Sequence, residues 1–308
     1  MSENQVAIRR HGLTDVFDSL DIAESTRQDY LQRIPRFVAF AEQNGVDRDL
    51  LLKYKQSLRD DVSLGISAKN KNLIAARIAL RELYRRGNLA FDLSVGIKSF
   101  KQTNRHKVMG LNSEEVDKIF QHLKSLDDSF PNVRLRTIIA LLLLQGMRQV
   151  EICRLDVNDI DLKNNRLYVL GKGENDKEPI HLHPETANAL RMYLGGSQVK
   201  FGSLFTHLNR QSSGQRLTTR GLRRIVQNLF QQLGIERTVH GSRHWFATTL
   251  IKHYKSDLTT VARFTRHKSL EMLTIYDDEI MTEVKAGELS DVFDYELQHQ
   301  NKTVEDVI

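Results

Sequence analysis

The sequence predicts a mainly α protein with one small antiparallel β-sheet. It divides into an N-terminal helical bundle, residues 1–105, and a mixed α+β domain, residues 106–308. Three observations predict this. Apolar residues over roughly the first hundred positions recur at helical spacing. Short apolar runs between residues 160 and 182 are separated by turn residues, as a hairpin requires. Between these regions, Ser99 to Gly110 is polar, basic and aperiodic, as a linker would be.

The elements follow in order. Ser25-Thr26-Arg27-Gln28 reads as a capping box before Tyr30, Leu31, Ile34, Phe37, Val38 and Phe40. Pro35 lies inside that pattern and is expected to kink or divide the helix. A short helix is predicted from Asp49 to Leu58. A long one, capped by Ser67, runs through Leu73, Ile74, Ile78, Leu80 and Leu83 and stops at Gly87. Lys69, Lys71, Arg77, Arg81, Arg85 and Arg86 crowd this helix, so one flank must be basic, whether as a solvated face or as a DNA contact. Beyond the linker, Asn112 or Ser113 caps a helix through Val116, Ile119, Phe120 and Leu123. Pro131 stands near the start of another that becomes the apolar run Ile138 to Leu144. Strands are predicted at Ile160 to Lys163, Leu167 to Leu170 and Pro179 to Leu182, with turns at Asn164-Asn165 and Gly171 to Asp176. Helices follow at Pro184 to Leu194, Thr219 to Leu233 and Gly241 to Tyr254. Three short ones are expected over Leu258 to Phe264, Ser269 to Tyr276 and Glu279 to Gly287.

Composition narrows the function. With 308 residues, 40% of them hydrophobic, the chain can build ordinary cores. Its longest apolar run is far too short for a membrane span, and Met1-Ser2-Glu3-Asn4 has no apolar export signal. One cysteine, Cys153, excludes an internal disulfide and fits a reducing compartment; it reads as a buried packing residue in an apolar helix. The net charge of +6 is unevenly placed. Residues 1–108 hold 19 Lys+Arg against 13 Asp+Glu, residues 109–276 hold 24 against 16, and residues 277–308 hold 2 against 10. Two basic bodies thus precede an acidic tail, and basic surfaces attract polyanions such as DNA. The chain has no Walker lysine loop and no dinucleotide fingerprint, so ATP and nicotinamide chemistry have no support and no cofactor is expected.

Six residues could carry chemistry: Arg148, Lys172, His240, Arg243, His267 and Tyr276. Gly146-Met147-Arg148 follows the apolar run, placing a guanidinium at the edge of a core. There it must meet an anion, either a phosphate held through two oxygens or Glu151 three residues on. Lys172 sits in a glycine-flanked turn, where it is either solvated or able to reach a nucleic-acid backbone; Lys177 is the other lysine of that hairpin. His240 and Arg243 share one face at the start of a helix, where free N–H groups and the dipole favour phosphate. His240 and His244 also stand at metal-ligand spacing, but no carboxylate lies between them and no cysteine pair supports them, so no metal site is assigned. His244 reads as a packing residue. His267 precedes Tyr276 by nine positions. Each alone would be an ordinary surface histidine or packed tyrosine.

Taken in order, these motifs resemble the C-terminal signature of the tyrosine recombinases, the phage-integrase family. The string His240-Gly-Ser-Arg243-His244-Trp245-Phe246-Ala247-Thr248 is similar to the family's most specific segment, and Gly171-Lys172-Gly173 to its β-hairpin lysine turn. The resemblance is strong over residues 108–276. One position departs: Arg266 stands before His267, where the family usually has glycine. The resemblance implies a metal- and ATP-independent enzyme that cleaves and rejoins DNA. In it Arg148, Arg243 and His267 would hold the phosphate, His240 would serve as general base, Tyr276 would form a 3′-phosphotyrosyl link and Lys172 would protonate the 5′ oxygen. It further implies a simple Xer-like recombinase without an arm-binding domain, clamping double-stranded DNA between two domains as a homotetramer, cytoplasmic and nucleoid-associated. Integration, excision or multimer resolution of mobile or replicated DNA are its expected outcomes. A partner recombinase or DNA-bending accessory protein is compatible with it. A non-catalytic DNA-binding protein of the same fold and a type IB topoisomerase are the alternatives. Leu289, Val292, Phe293 and Leu297 in the acidic tail have near-helical spacing that could dock on a neighbouring subunit or on their own domain.

Overall fold

The computed structural model describes residues 15–102, 110–171, 173–197, 199–208, 214–267, 269–278 and 280. The helices predicted over the acidic tail, including its apolar positions, lie outside them apart from Ile280. The chain divides into two compact units, Met1–Asn104 and Arg105–Ile308. It is mainly helical with one three-stranded antiparallel sheet. No helix among the described residues is long and apolar enough to cross a membrane.

The first unit contains α1 (Glu24–Asn44), α2 (Leu50–Asp60) and α3 (Ile66–Arg85), preceded by a helical turn at residues 15–18. Their apolar stripes close on one core, with Phe17, Phe37, Leu50, Leu58, Leu73 and Leu80 at most 1% exposed. Burying each such side chain contributes about 2 kcal/mol. That packing carries α1 unbroken through Pro35, which does not divide it. Neither predicted N-cap forms. Ala23 and Gly65 occupy those positions and no side chain caps either helix, so Ser25 and Ser67 fall inside the first turns. Gly87 does terminate α3. It has φ +73°, its N–H donates to the Tyr84 carbonyl and that of Asn88 to the Leu83 carbonyl, closing a Schellman motif.

Several of the basic residues of α3 have internal partners. Arg85 and Arg86 close on the buried Glu82, while Arg77 and Lys69 donate to the carbonyls of Ile97 and Arg59. Hydrogen bonds from Arg85, Arg86 and Ser19 outweigh burial and hold the Glu82 carboxyl down to about 2.

The second unit opens with α4 (Ser113–Ser125) and α5 (Phe130–Leu143), followed by the short α6 (Gln149–Arg154). The sheet is β1 (Ile160–Asp161), β2 (Arg166–Leu170) and β3 (Lys177–His181) in that order, with Leu167 facing Ile160 on one side and Ile180 on the other. β1 is shorter than the predicted run to Lys163. The Asp161 carboxylate accepts from the Asn164 backbone and side chain and pulls residues 162–165 into a turn. Pro179 is tolerated because β3 is an edge strand. Then come α7 (Pro184–Gly196), α8 (Thr219–Gln232), α9 (His240–His253), α10 (Leu258–Thr265) and α11 over residues 271–278.

The apolar α5 forms the centre of this unit, with Ile138, Leu141 and Leu142 sealed in a core that also takes Leu167, Val169, Leu190 and Phe230. A second core joins α9, α10 and α11 through Ala247, Ile251, Val261, Leu273 and Tyr276. Helix α9 faces both cores, Trp245 packing on the first and Ala247 and Ile251 on the second. Its polar start is thereby fixed against two bodies.

Asn112 caps α4 with a reciprocal box: its Oδ1 accepts from the Glu115 N–H, and Glu115 Oε2 accepts from the Asn112 N–H. Asn112→Ala is expected to cost about 1 kcal/mol of unfolding free energy. Thermal or urea unfolding checks this, and an unchanged midpoint would show that the box contributes nothing.

Candidate active site

The site begins where α5 ends. Gly146 turns the chain with φ +56°, and a Cβ there would stand 2.2 Å from the Phe246 ring, so both backbone and space demand glycine. Arg148 follows as the N-cap of α6. Its backbone N–H donates to Glu151 Oε2 at 2.8 Å and its Nη1 to Oε1 at 2.7 Å. The ion pair with Glu151 and a position at the site are therefore both realised.

Arg243 lies one turn into α9 and is 2% exposed. Its Nη1 donates to the Gly146 carbonyl at 2.5 Å and its Nη2 to the Thr265 carbonyl, with His267 Nε2 at 3.3 Å from Nη2. Its hydrogen-bond partners among the described residues are thus two carbonyls and an imidazole. Burial, reinforced by the charge of Arg148, pushes it down to about 9. A cation this deeply buried calls electrostatically for an anion.

α10 ends at Thr265, and Arg266 takes the left-handed conformation with φ 55°. The His267 N–H then donates to the Ala262 carbonyl at 3.2 Å. This is the geometry that a glycine would adopt freely, and the arginine reaches it all the same. Its guanidinium donates to Glu151 Oε2 at 3.1 Å, and its carbonyl accepts from Arg148 Nη2 at 3.3 Å.

The hydrogen-bond network assigns the His267 tautomer. Arg243 can only donate, so Nε2 accepts from it. Thr265 Oγ1 donates to the Val261 carbonyl and accepts Nδ1–H at 2.7 Å. Burial first, then the charges of Arg243, Arg148, Arg266 and His240, push His267 down to about 3, so the ring is neutral. Burial also pushes Glu151 up, but Arg266 and Arg148 outweigh it and hold the carboxyl below its usual range.

His240 is the exposed first residue of α9, within electrostatic reach of His267. Tyr276, on α11, is 2% exposed, and its ring stands nearly perpendicular to that of His244 with centroids 4.5 Å apart. Arg148, Arg243 and His267 thus converge, with His240 and Tyr276 at their flanks. Lys172 lies outside the described residues. Lys177, the other hairpin lysine, pairs with Asp159 at 2.5 Å and is a structural anchor. Cys153 is buried in α6, and burial pushes its thiol up to about 11. Among the described residues no three His, Cys, Asp or Glu side chains gather as a metal site would need. Arg266 and Glu151 are the members that the sequence undervalued, one as a departure from a pattern and the other as a mere ion-pair partner.

Comparison with known proteins places this geometry. The model of the phage integrase family matches residues 110–283. Tyrosine recombinase XerC of Lactobacillus leichmannii is 31% identical over 234 residues, 72% of this chain and 76% of that one. Tyrosine recombinase XerD of Listeria monocytogenes serotype 4b is 27% identical over 304 residues, 95% and 92% of the two chains. Among solved structures, XerH site-specific recombinase bound to palindromic difH substrate in a post-cleavage complex aligns with TM-score 0.71 and 20% identity, over 90% of this chain and 83% of that one. A lambda integrase tetramer bound to a Holliday junction aligns with TM-score 0.65 and 18% identity, over 86% and 74%.

The neutral His267 has a measurable consequence. Its ordinary value is 6.5 and its folded value about 3, so across that window the unfolded chain binds a proton that the folded chain refuses. Stability therefore falls as pH drops from about 6.5. Glu151 adds its own loss only below its ordinary 4.5. Between these values, His267→Gln is expected to flatten the dependence of unfolding free energy on pH, measured by urea titration. Slopes parallel to wild type would contradict a buried neutral ring.

Proposed function

This chain belongs to the phage integrase family, the tyrosine recombinases, and we propose from that premise how its own residues break and rejoin DNA. The chain is a site-specific DNA recombinase. The observation that carries the assignment of roles is the convergence of the half-buried Arg148, the buried Arg243 and the neutral His267, with Tyr276 packed alongside.

A phosphodiester gains negative charge on its non-bridging oxygens as phosphorus is attacked. Arg148 and Arg243 hold those oxygens with preset guanidinium forks, so little reorganisation is needed at the moment of reaction. Burial first, and then the nearby positive charges, keep His267 neutral; a bound phosphate offsets those charges and lets this ring act as a further donor. His240, at the exposed start of α9, takes or tunes the phenol proton. The Tyr276 Oη–phosphorus bond forms as the bond to the 5′ oxygen breaks, and Lys172 gives that oxygen a proton. The 3′-phosphotyrosyl link conserves the bond energy, so a second 5′ hydroxyl can reverse the step without ATP. Tyr276 packs among Ala247, Ile251, Val261 and Leu273, and its phenol lies within electrostatic reach of Arg243.

DNA binding is supported by the surplus of 24 Lys+Arg over 16 Asp+Glu in residues 109–276. Clefts of about 430 and 470 Å³ flank α8 and are lined by Arg134, Arg220, Arg224 and Arg237. Arg134 and Arg237 have partners in the Thr206 carbonyl and Glu115, while the exposed Arg220 and Arg224 are available to backbone phosphates. We assign the first helical unit to gripping the same duplex, with the exposed Lys71 and Arg81 of α3 available for phosphates. Assembly as a homotetramer on paired sites, in the cytoplasm at the nucleoid, is the matching biological reading. The lambda integrase tetramer on a Holliday junction supports the tetrameric part of it by fold. Integration or excision of a mobile element, or multimer resolution, are the outcomes open to such an assembly.

Two outcomes check the chemistry. Wild-type protein incubated with supercoiled or nicked DNA carrying its gene's flanking sequence, without metal or ATP, is expected to give a denaturant-stable protein–DNA adduct that Tyr276→Phe does not give. An adduct from both would mean a different nucleophile, and DNA binding without an adduct from either would favour a non-catalytic protein. Lys172→Ala is expected to slow cleavage of ordinary DNA 100-fold or more, on the order of general-acid contributions. It should cleave DNA with a 5′-bridging sulfur near the wild-type rate, since a thiolate leaves without a proton. Equal defects on both substrates would remove Lys172 from that role.

A further inference from the structure

Arg266 stands in a left-handed turn with φ 55°, a conformation that favours glycine, and its side chain is only 10% exposed. An arginine held there against its backbone preference has something to hold on to. That partner is Glu151, fully buried, whose Oε2 accepts from Arg266 Nη2 at 3.1 Å and whose Oε1 accepts from Arg148 Nη1 at 2.7 Å. The backbone of the same residue reaches Arg148 as well, its carbonyl accepting from Nη2 at 3.3 Å. Arg266 therefore meets Arg148 from two sides: through the shared carboxylate and through its own peptide.

We propose that Arg266 is a positioning residue that locks the Arg148 guanidinium in its phosphate-holding orientation, a role performed by a side chain and not by the turn alone. The inference rests on Arg148 being a phosphate ligand. Without the Arg266 side chain, Glu151 Oε2 keeps only the Arg148 N–H among its described donors. The carboxylate can then turn and draw the Arg148 fork away from the oxygens it would hold. Arg266 itself does not reach for the phosphate, because its guanidinium is turned onto Glu151 and the Phe264 carbonyl.

The test uses the full chain and two readouts. Arg266→Gly is expected to fold, since glycine takes the left-handed turn without strain. Inorganic phosphate binding is followed by ³¹P NMR in wild type, Arg266→Gly, Arg148→Ala and the double variant. Arg266→Gly is expected to weaken phosphate binding about tenfold, which corresponds to 1.4 kcal/mol. In the Arg148→Ala background it should change nothing further, because it acts through Arg148. Additive losses would mean that Arg266 binds the anion directly, and no loss would mean that the turn alone matters; either overturns the proposal. On a nicked DNA substrate, Arg266→Gly should lower the single-turnover cleavage constant about tenfold with DNA affinity within threefold of wild type, and Arg266→Lys should recover part of that loss. Unchanged cleavage would also overturn it. Should wild type form no adduct at all, the phosphate titration still decides the positioning role separately from the recombinase chemistry.

Discussion

Glu151 is fully buried, yet it stays ionised because guanidiniums from Arg148 and Arg266 close on its two oxygens. Much of the site depends on that contact. It fixes the first turn of α6, and it holds the segment after α10 against the segment after α5. It also leaves three arginines around one negative charge. Burying that imbalance is costly in an apolar setting, and the cost is what prepares the locus for a phosphodiester. The neutral His267 follows first from its burial and then from the same imbalance, because a second cation beside Arg243 would add to the repulsion.

The backbone joins these parts across the two cores of the second unit. Arg243 donates to carbonyls at Gly146 and Thr265, one after α5 and the other at the end of α10. Helix α9 can place that guanidinium because its apolar side chains face both cores. Tyr276 belongs to the smaller core, where its ring contributes packing. Its burial means that the group assigned to attack phosphorus also stabilises the helix that carries it.

Much of this was legible in the sequence. The helices of the second unit and the hairpin follow from periodicity and turn residues, while the convergence of Arg148, Arg243 and His267 was implied by the resemblance of their motifs to the family's. The caps of α1 and α3 were misread because a serine near a helix start is a weak signal where packing sets the boundary. The length of β1 was misread because the Asp161–Asn164 turn competes with the strand. The function of Arg266 was not legible. Sequence shows only that glycine is missing, and it takes coordinates to show that the replacing guanidinium lands on Glu151, 115 positions away.

The most direct test of the central claim, that this arginine cluster presents a phosphate to Tyr276, is to map the covalent link. The wild-type DNA adduct would be digested with nuclease and protease and its peptides sequenced by mass spectrometry. The account predicts a nucleotide joined through its 3′ phosphate to the peptide containing Tyr276. A link through another residue such as Tyr254, or through a 5′ phosphate, would contradict it.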